Sequence, residues 1–501
     1  MKRRDFLSAA SSMMLPVMMN GFGVQSLAKG SALVKSLSKT AALNNERILV
    51  IVYLAGGNDG LNAVIPLDHY SKYYELRSNI AIPEAQVLKL AGNQETGLHP
   101  AMTGLRALYD EGKLSIIHSV SYPNPDLSHF RSTDIWMTAV DSSKYSSSGW
   151  AGRYLEDRFP GYPNSYPNDE MEDPLAVQIG RIGSPTLLGS TQPMGITLQD
   201  PSTFYQLIGS PNTSIEEAVP CCRAGELVSY IRQQQVLTVG YSSEIKAAAE
   251  AGRNLATYPD LSLENDLAEQ LKIVARLIHG GLKSKIYYVE LGGFDTHSGQ
   301  IGNTVLEGTH ATLLKKLSDA IAAFQQDLKL QGTEDKVLGM TFSDFGRRAS
   351  SNASKGTDHG IGAPMFVFGT GMKRQVVGVN PDLTNGGYTN LGINMQVDFR
   401  RVYSDILNDW FGTAASKTDQ LLFTDHKTTS LFSETVQTIT SGAWHNPAIW
   451  SNGRVPTTYD LVQVNSGHVV EIGQNSTAKK VKVLSGGKIK FLGNYTVSTA
   501  G

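Results

Sequence analysis

A run of aliphatic residues near the start of the chain constrains its fold more than any other feature. Six of the seven residues of Ile48–Leu54 are aliphatic and four are β-branched, which is typical of a strand buried on both faces of a parallel sheet. Similar apolar runs recur at 114–120, 285–291, 336–342 and 363–369, and segments with helical periodicity separate several of them. The sequence therefore predicts an α/β fold, with a mostly parallel sheet sandwiched by helices.

The composition restricts the class of protein. The 501 residues include 44 lysines and arginines against 46 aspartates and glutamates, and 41% of them are hydrophobic. These proportions are typical of a globular chain of about two to four domains, and no basic excess favours a nucleic-acid partner. Cys221 and Cys222 are adjacent, so their Cα atoms are about 3.8 Å apart, closer than in most disulfides. We therefore expect neither nucleic-acid binding nor a structural disulfide.

The N-terminus has the features of an export signal. The motif Arg-Arg-Asp-Phe-Leu at 3–7 precedes a modestly apolar stretch and small residues at 26–28. This arrangement resembles a bacterial twin-arginine signal, whose route exports folded proteins, often with a cofactor inserted. The apolar stretch is too short and too often interrupted to span a bilayer. We therefore predict a signal peptide at 1–28, a linker at 29–46, no membrane span, and export to the periplasm or the cell surface.

The C-terminal tail carries a short internal repeat. The segments VQVNSG at 462–467 and VKVLSG at 481–486 begin 19 positions apart, and both alternate apolar and polar residues at their start. Alternation at a fixed period predicts stacked β-rungs, as in a β-helix or a similar solenoid. We therefore predict a main α/β domain over 47–435 and a β-rich, repeat-like module over 441–501.

Acidic and histidine residues follow the predicted carboxyl ends of several strands, where ligands bind in open α/β sheets. They are Asp59, Asp295, His297, Asp344 and His359. Asp295 and His297 are two positions apart, so both point to one face of an extended backbone. Mixed carboxylate and imidazole ligands suit zinc or manganese better than a metal that prefers thiolates. The residues therefore favour a divalent metal site.

Simpler structural roles explain the same residues. Asn, Asp and Gly at 58–60 also suit a turn, and Asp344 could pair with a nearby arginine. Ser128, at the start of a predicted helix, suits either an anion-binding nucleophile or an ordinary N-cap serine. His129 beside it is interpreted as a ligand, an acid or base, or a packed residue. On sequence grounds these alternatives stay open.

Six short motifs follow one another along the chain: RRDFL at 3–7, GGNDGLN at 56–62, SHF at 128–130, GFDTH at 293–297, SDFGR at 343–347 and GTDHG at 356–360. Together they resemble a family of exported bacterial proteins of unknown function, often labelled sulfatase-like, that is similar to the alkaline phosphatase superfamily. The resemblance covers roughly residues 1–435. It implies an alkaline phosphatase-like fold with a pocket at the carboxyl edge of the sheet.

The resemblance also implies metal ions beside a nucleophile. The ligands implied for a first ion are Asp295, His297 and His359. Those implied for a second ion, beside the nucleophile Ser128, are Asp59 and Asp344. In the superfamily the first aspartate and histidine are usually spaced more widely, and a histidine usually follows the second aspartate where this chain has Phe345. The second site therefore lacks a ligand unless Asn58, His129 or Asp358 supplies it, and the expectation is one or two ions, zinc or manganese.

A first hypothesis for function follows from this ligand set. We expect an exported metal-dependent hydrolase or transferase that acts on a phosphate or sulfate ester of a small molecule or a glycan. Ser128 would attack the ester, with His129 beside it, and Arg347 would clamp substrate oxygens through its planar guanidinium. No Cys-x-Pro-x-Arg motif of formylglycine sulfatases occurs in the sequence. The second hypothesis is a non-catalytic envelope protein that binds a glycan or a protein partner.

Overall fold

The computed structural model describes residues 46–201, 239–259, 265–373, 375–384, 386–424, 429–432, 435–451, 455–456 and 460–499. The expected signal peptide at 1–28, the linker up to residue 45, and the adjacent Cys221 and Cys222 lie outside these residues. Within the described ranges, no helix combines the length and the apolar character that crossing a membrane requires.

Mostly parallel strands form the centre of the α/β part. In chain order, the strands of this part are β1 (Ile48–Leu54), β2 (Val64–Pro66), β3 (Leu88–Leu90), β4 (Asn93–Leu98), β5 (Leu114–Ser121), β6 (Ala176–Ile179), β7 (Ile196–Leu198), β8 (Ile286–Leu291), β9 (Val337–Ser343), β10 (Gly346–Arg347), β11 (His359–Gly360), β12 (Ala363–Phe368), β13 (Gln375–Val377), β14 (Tyr388–Thr389), β15 (Gly392–Ile393) and β16 (Val397–Asp398). Among the described residues, nine of them form one sheet in the order β13-β5-β12-β9-β1-β8-β6-β7, with β16 also paired to β5. Every neighbouring pair is parallel except the two made by β12. The prediction of a mostly parallel sheet is confirmed.

Strand β1 lies between β8 and β9 in the middle of this sheet, and all seven of its residues are buried. The register places Leu54 of β1 opposite Leu291 of β8 and Ser343 of β9. Because these three strands are parallel and end together, the loops that follow them meet at one edge of the sheet. The residues that bear carboxylates and imidazoles after these strands are therefore brought to the same edge.

Helices pack against the sheet. In chain order they are α1 (Gly60–Ala63), α2 (Tyr70–Arg77), α3 (Thr103–Asp110), α4 (His129–Thr138), α5 (Trp150–Arg158), α6 (Ser242–Ala251), α7 (Asp266–His279), α8 (Thr309–Gln331), α9 (Phe399–Asp405) and α10 (Ala415–Leu421), and a π-helix at Ile406–Trp410 continues α9. The long helix α8 buries Leu314, Leu317 and Ile321 at helical spacing, and it packs against α7 and α3. It ends at Gly332, whose left-handed φ of +71° is typical of a helix C-terminus.

The chain between residues 142 and 201 contributes more to the sheet than its composition indicates. The richness of residues 142–220 in serine, proline, tyrosine and glycine predicts long ordered loops with a single strand at 175–180, and the structure describes this stretch as far as residue 201. The structure instead forms helix α5 and two strands, β6 and β7, and β7 is an edge of the sheet. Strand β7 spans only three residues, which is too short for a recognisable sequence pattern. Its pairing with β6 therefore determines its extended conformation.

Stacked parallel strands form the C-terminal module. They are β17 (Thr435–Gln437), β18 (Gly442–Ala443), β19 (Leu461–Val464), β20 (Val469–Ile472), β21 (Ser476–Ala478), β22 (Lys480–Val483), β23 (Lys488–Phe491) and β24 (Val497–Thr499). In the described part of the tail they stack as β17-β19-β22, β18-β20-β23 and β21-β24. Val462 lies opposite Val481 and Val469 opposite Lys488, which reproduces the 19-residue spacing of the sequence repeat. The predicted rungs are confirmed, and the first begins at β17, before residue 441.

The module has its own apolar interior. Trp444 and Trp450 are almost fully buried and meet edge to face, with ring centroids 5.2 Å apart. Valines from successive rungs, including Val462 and Val470, pack around them. Residues Glu46–Gly501 form one compact unit, and Lys479 of the module donates a hydrogen bond of 2.8 Å to the carbonyl of Gly112 in the α/β part. The module is therefore attached to the α/β part through specific contacts.

Candidate metal centre

The backbone after β1 approaches the neighbouring strand ends very closely. Gly56 and Gly57 have φ values of +118° and +82°, a region that favours glycine. A Cβ atom at Gly56 would lie 2.4 Å from the backbone nitrogen of Asp295, and one at Gly57 would lie 2.6 Å from the ring of Phe345. The two glycines therefore allow the loops after β1, β8 and β9 to pack against each other.

Four side chains from three segments meet at this edge. His129 begins helix α4, Asp295 and His297 follow β8, and His359 lies in β11. The Nε2 atoms of His297 and His359 are 3.2 and 3.4 Å from Asp295 Oδ1, and Nε2 of His129 is 3.6 Å from Asp295 Oδ2. One ligand atom each from His129, Asp295 and His359 lies within 4.8 Å of the others. The arrangement resembles the first shell of a metal ion.

The second ring nitrogen of each histidine faces an oxygen atom. Nδ1 of His129 lies 2.5 Å from Oδ2 of Asp344, and Nδ1 of His359 lies 2.9 Å from the carbonyl oxygen of Leu127. Nδ1 of His297 lies 3.5 Å from a carboxylate oxygen of Asp358. Because carbonyl and carboxylate oxygens only accept, Nδ1 of His129 and Nδ1 of His359 each carry a proton, and Nε2 of each of these rings keeps its lone pair when the ring is neutral. Metal-bound histidines are usually held in this way.

The close contact between the imidazoles of His297 and His359 indicates whether a cation fits between them. Nε2 of His297 and Nε2 of His359 are 2.8 Å apart, and both would present lone pairs if the rings were neutral with protons on Nδ1. A cation at this point, whether a proton or a metal ion, removes that repulsion. The carboxylate of Asp295 beside both nitrogens adds negative charge. The residues present therefore fit a divalent cation that takes nitrogen and oxygen ligands.

Asp344 lies behind His129. Its Oδ1 accepts hydrogen bonds from the hydroxyl of Tyr53 at 2.7 Å and from the backbone N–H of Gly56 at 3.2 Å, and its Oδ2 accepts the proton of His129 Nδ1. The side chain is only 3% exposed. With these partners Asp344 orients the imidazole of His129. Because its oxygens are engaged by Tyr53, Gly56 and His129, the geometry does not support it as a metal ligand, and Arg347 pairs with Asp295 instead.

Arg347 is buried beneath the cluster. Its Nε donates to the carbonyl of Gly57 at 2.8 Å, Nη1 to the carbonyl of Thr357 at 2.9 Å, and Nη2 to Oδ1 of Asp295 at 2.6 Å. Burial tends to raise the pKa of Asp295, but the hydrogen bond and charge of Arg347 outweigh it and hold the pKa below the usual value. Because the side chain is 0% exposed, the structure supports a positioning role for Arg347 and offers no surface for the expected substrate clamp.

Asp59 belongs to a different, interior network. Both of its oxygens lie 2.8 Å from Nη1 of Arg77, and Oδ2 also accepts a hydrogen bond of 2.6 Å from Gln300. The neighbouring Asn58 bonds His310, whose pKa is lowered to about 4 by burial. Asp59 is 1% exposed, so its carboxylate is committed to this network, and the geometry does not support it as a ligand of the cluster.

Ser128 lies beside the cluster at the start of α4. Leu127 before it accepts the hydrogen bond of His359, and His129 follows it. Ser128 occupies the N-cap position, but its side chain forms no capping hydrogen bond, and the residue is exposed. The hydroxyl is therefore available at the positive end of a helix dipole, rather than engaged as an ordinary cap.

Sequence reasoning missed several partners of the polar residues at this edge of the sheet. Arg77 ends a helix in a tyrosine-rich stretch that reads as a surface segment, yet it is fully buried against Asp59. The contact of His359 with the backbone carbonyl of Leu127 cannot be predicted from the type of side chain at position 127. Asp358, which the sequence offers as a possible ligand of the second ion, lies behind His297, with a carboxylate oxygen 3.5 Å from its Nδ1.

Comparisons with known proteins match part of this region. A family model described as a protein of unknown function (DUF1501) matches residues 231–416, which include Asp295, His297 and His359 but not Ser128 or His129. The comparison with curated proteins finds no match.

Solved structures show low similarity over most of the chain. A sulfatase from Pseudoalteromonas sp. is 12% identical, with 81% of this chain and 78% of that chain covered and a TM-score of 0.33. A protein of the alkaline phosphatase superfamily from Vibrio parahaemolyticus is 10% identical, with 69% and 71% covered and a TM-score of 0.30. A phosphonate monoester hydrolase from Silicibacter pomeroyi is 13% identical, with 74% of each chain covered and a TM-score of 0.30.

Proposed function

We propose that this protein is an exported, metal-dependent hydrolase or transferase that acts on phosphate or sulfate esters. One observation carries the proposal: three imidazoles direct Nε2 toward the carboxylate of Asp295 while an oxygen atom faces each Nδ1. Structural ion pairs do not need three histidines oriented in this way, whereas a bound cation does.

We propose one ion, zinc or manganese, held by His129, Asp295, His297 and His359. Asp59 and Asp344 are engaged by Arg77 and by His129, which supports one site rather than two. When bound, such an ion supplies positive charge that polarises an ester oxygen and favours a nearby alkoxide. Arg347 keeps Asp295 ionised and oriented through its 2.6 Å bond.

Ser128 is the proposed nucleophile. Its oxygen would form a bond to phosphorus or sulfur as the bond to the alcohol oxygen breaks, with the serine proton released to solvent and the alcohol taking one up. Water would then release phosphate or sulfate and restore Ser128, and a second alcohol in place of water would make the reaction a transfer. The exposed hydroxyl, without a capping bond at the N-terminus of α4, supports this role.

The test compares metal content and turnover in matched variants. Asp295→Asn/His359→Gln removes two proposed ligands, and Asp68→Asn/His69→Gln makes the same changes at a surface pair whose side chains lie 3.9 Å apart. We expect about one equivalent of zinc or manganese in the wild type and the surface variant, and none in the ligand variant. Phosphate and sulfate esters of 4-nitrophenol are the substrates, and turnover should follow the metal.

Ser128→Ala separates the nucleophile from the metal site. We expect this variant to keep the metal and lose turnover. A folded wild type without metal, or a ligand variant that keeps it, would overturn the metal site. Metal binding without turnover on any ester would favour the non-catalytic binding protein.

A further inference from the structure

A large cleft separates the α/β part from the C-terminal module, away from the strand ends that carry the candidate metal centre. Its volume is 1110 Å³, and both parts line it. The α/β part contributes Lys113, Lys329 and Lys373, and the module contributes Lys479, Lys480 and Lys482. We call this space the intermodular cleft.

Positive charge exceeds negative charge along the intermodular cleft. Seven lysine or arginine side chains and four carboxylates line it. Two of the lysines are neutralised locally, because Lys113 lies 3.0 Å from Glu334 and Lys480 pairs with Asp335. Within the part of the chain that the structure describes, Lys329, Lys373 and Lys482 form no ion pair. The cleft therefore offers cations for an anionic ligand.

Lys479 adds a buried charge at the base of the cleft. It is 8% exposed, and its ammonium donates hydrogen bonds to the carbonyls of Gly112 and Met372 rather than to a carboxylate. Burial lowers its pKa to about 7, so an anion nearby would stabilise the charged form. The same lysine links the module to the α/β part, which places an ionisable amine where the two meet.

The polar groups of the cleft suit a saccharide better than a polyphosphate. Lys482 lies opposite Gln463 on the adjacent rung, so residues bearing an ammonium and an amide stand on neighbouring strands about 4.8 Å apart. Carboxylates such as Glu334 and Asp409 lie among the lysines and would repel a chain whose charges follow one another as closely as those of a polyphosphate. Widely spaced anionic groups joined by hydroxyls match this mixture of cations, amides and carboxylates.

We propose that the intermodular cleft binds an anionic oligosaccharide, whose carboxylate or sulfate groups pair with Lys329, Lys373 and Lys482. The site does not depend on the metal centre or on turnover. It gives the C-terminal module a function, because neither part of the molecule forms the cleft alone.

Binding to the full chain tests the site. The probes are fluorescently labelled oligogalacturonate and dextran sulfate oligosaccharides, with neutral dextran and single-stranded RNA for comparison. Lys373→Glu/Lys482→Glu reverses two charges in the cleft. Lys488→Glu/Lys490→Glu makes the same change on β23 of the same rung, where both side chains are exposed and neither lines the cleft.

We expect the cleft variant to bind at least one anionic saccharide about tenfold more weakly and the β23 variant to stay within about twofold of the wild type. Binding should weaken as salt rises. Equal loss in both variants, no preference over neutral dextran, or tighter binding of RNA would each overturn the proposal. If the charge reversal prevents folding, Lys373→Gln/Lys482→Gln gives the same test. Turnover of 4-nitrophenyl esters should be unchanged in all of these variants, so the result is separate from that for the metal centre.

Discussion

The buried pair between Asp59 and Arg77 should support the fold rather than the metal centre. Both side chains are almost completely buried, at 1% and 0% exposure. Arg77 also donates to the carbonyls of Ala349 and Arg348, at 2.8 and 2.7 Å, so it links helix α2 to the loop after β10. Asp59 is the only carboxylate in the described part of the chain that forms an ion pair with Arg77.

Asp59→Asn keeps the size of the side chain but removes its charge, which leaves the guanidinium of Arg77 buried without a counter-ion. Breaking a buried pair in this way costs about 3–5 kcal/mol of unfolding free energy. Asp319→Asn is the matched control, because Asp319 pairs with Lys315 on the surface of α8 at 2.6 Å. An exposed pair of this kind contributes about 0.5 kcal/mol or less.

The pH dependence of the unfolding free energy provides a second test of the pair between Asp59 and Arg77. Burial alone would raise the pKa of Asp59, but the charge of Arg77 outweighs it, and the pKa is lowered in the folded protein. The carboxylate therefore adds stability above its unfolded pKa of about 3.9, and that stability is lost as the pH falls through the lower folded value. We expect the difference in unfolding free energy between wild type and Asp59→Asn to be largest near neutral pH and to shrink below about pH 4.

Urea unfolding at several pH values, followed by tryptophan fluorescence, measures these differences, and metal analysis of the folded fraction accompanies it. We expect Asp59→Asn to lose stability but to retain the metal content of the wild type. A variant of normal stability that has lost its metal would refute the structural role and restore Asp59 as a ligand.

Three further predictions concern the metal centre and the module. Asp344→Asn replaces the carboxylate behind His129 with a neutral amide that has one acceptor oxygen instead of two, so metal affinity should fall about 10–100-fold in competition with a chromophoric chelator, and an unchanged affinity would remove Asp344 from the site. Chelation should lower the thermal unfolding midpoint, since a ligand at 100 times its Kd stabilises the fold by about 2.7 kcal/mol, and added zinc or manganese should reverse it; a midpoint that never moves argues against a bound ion. Trp444→Ala should cost about 3–5 kcal/mol in the module, whereas Phe130→Ala, at a side chain that is 92% exposed, should leave unfolding unchanged.

Local patterns were enough to predict the main strands and the rungs. Strands buried on both faces are rich in apolar residues, so β1, β5, β8 and β9 are each visible as a short run in the sequence, although β5 also buries polar side chains such as His118. Each rung of the module packs on the one before it, so the rungs have similar sequences. The 19-residue spacing can therefore be recognised from the sequence alone. Asp295 and His297 were recognisable as a pair for the same reason, since their two-residue spacing is itself local.

The partners of each polar side chain were decided by the tertiary structure. Asp59, Asp295 and Asp344 all follow central strands and look alike in sequence, yet one pairs with Arg77, one faces three histidines, and one lies behind His129. His129 and Asp344 are 215 residues apart, so only the order of strands and the approach of helix α4 bring them together. A carboxylate near a strand end can be predicted from local sequence. Its role depends on which hydrogen-bond donor from a distant part of the chain contacts it, and only tertiary packing determines which donor that is.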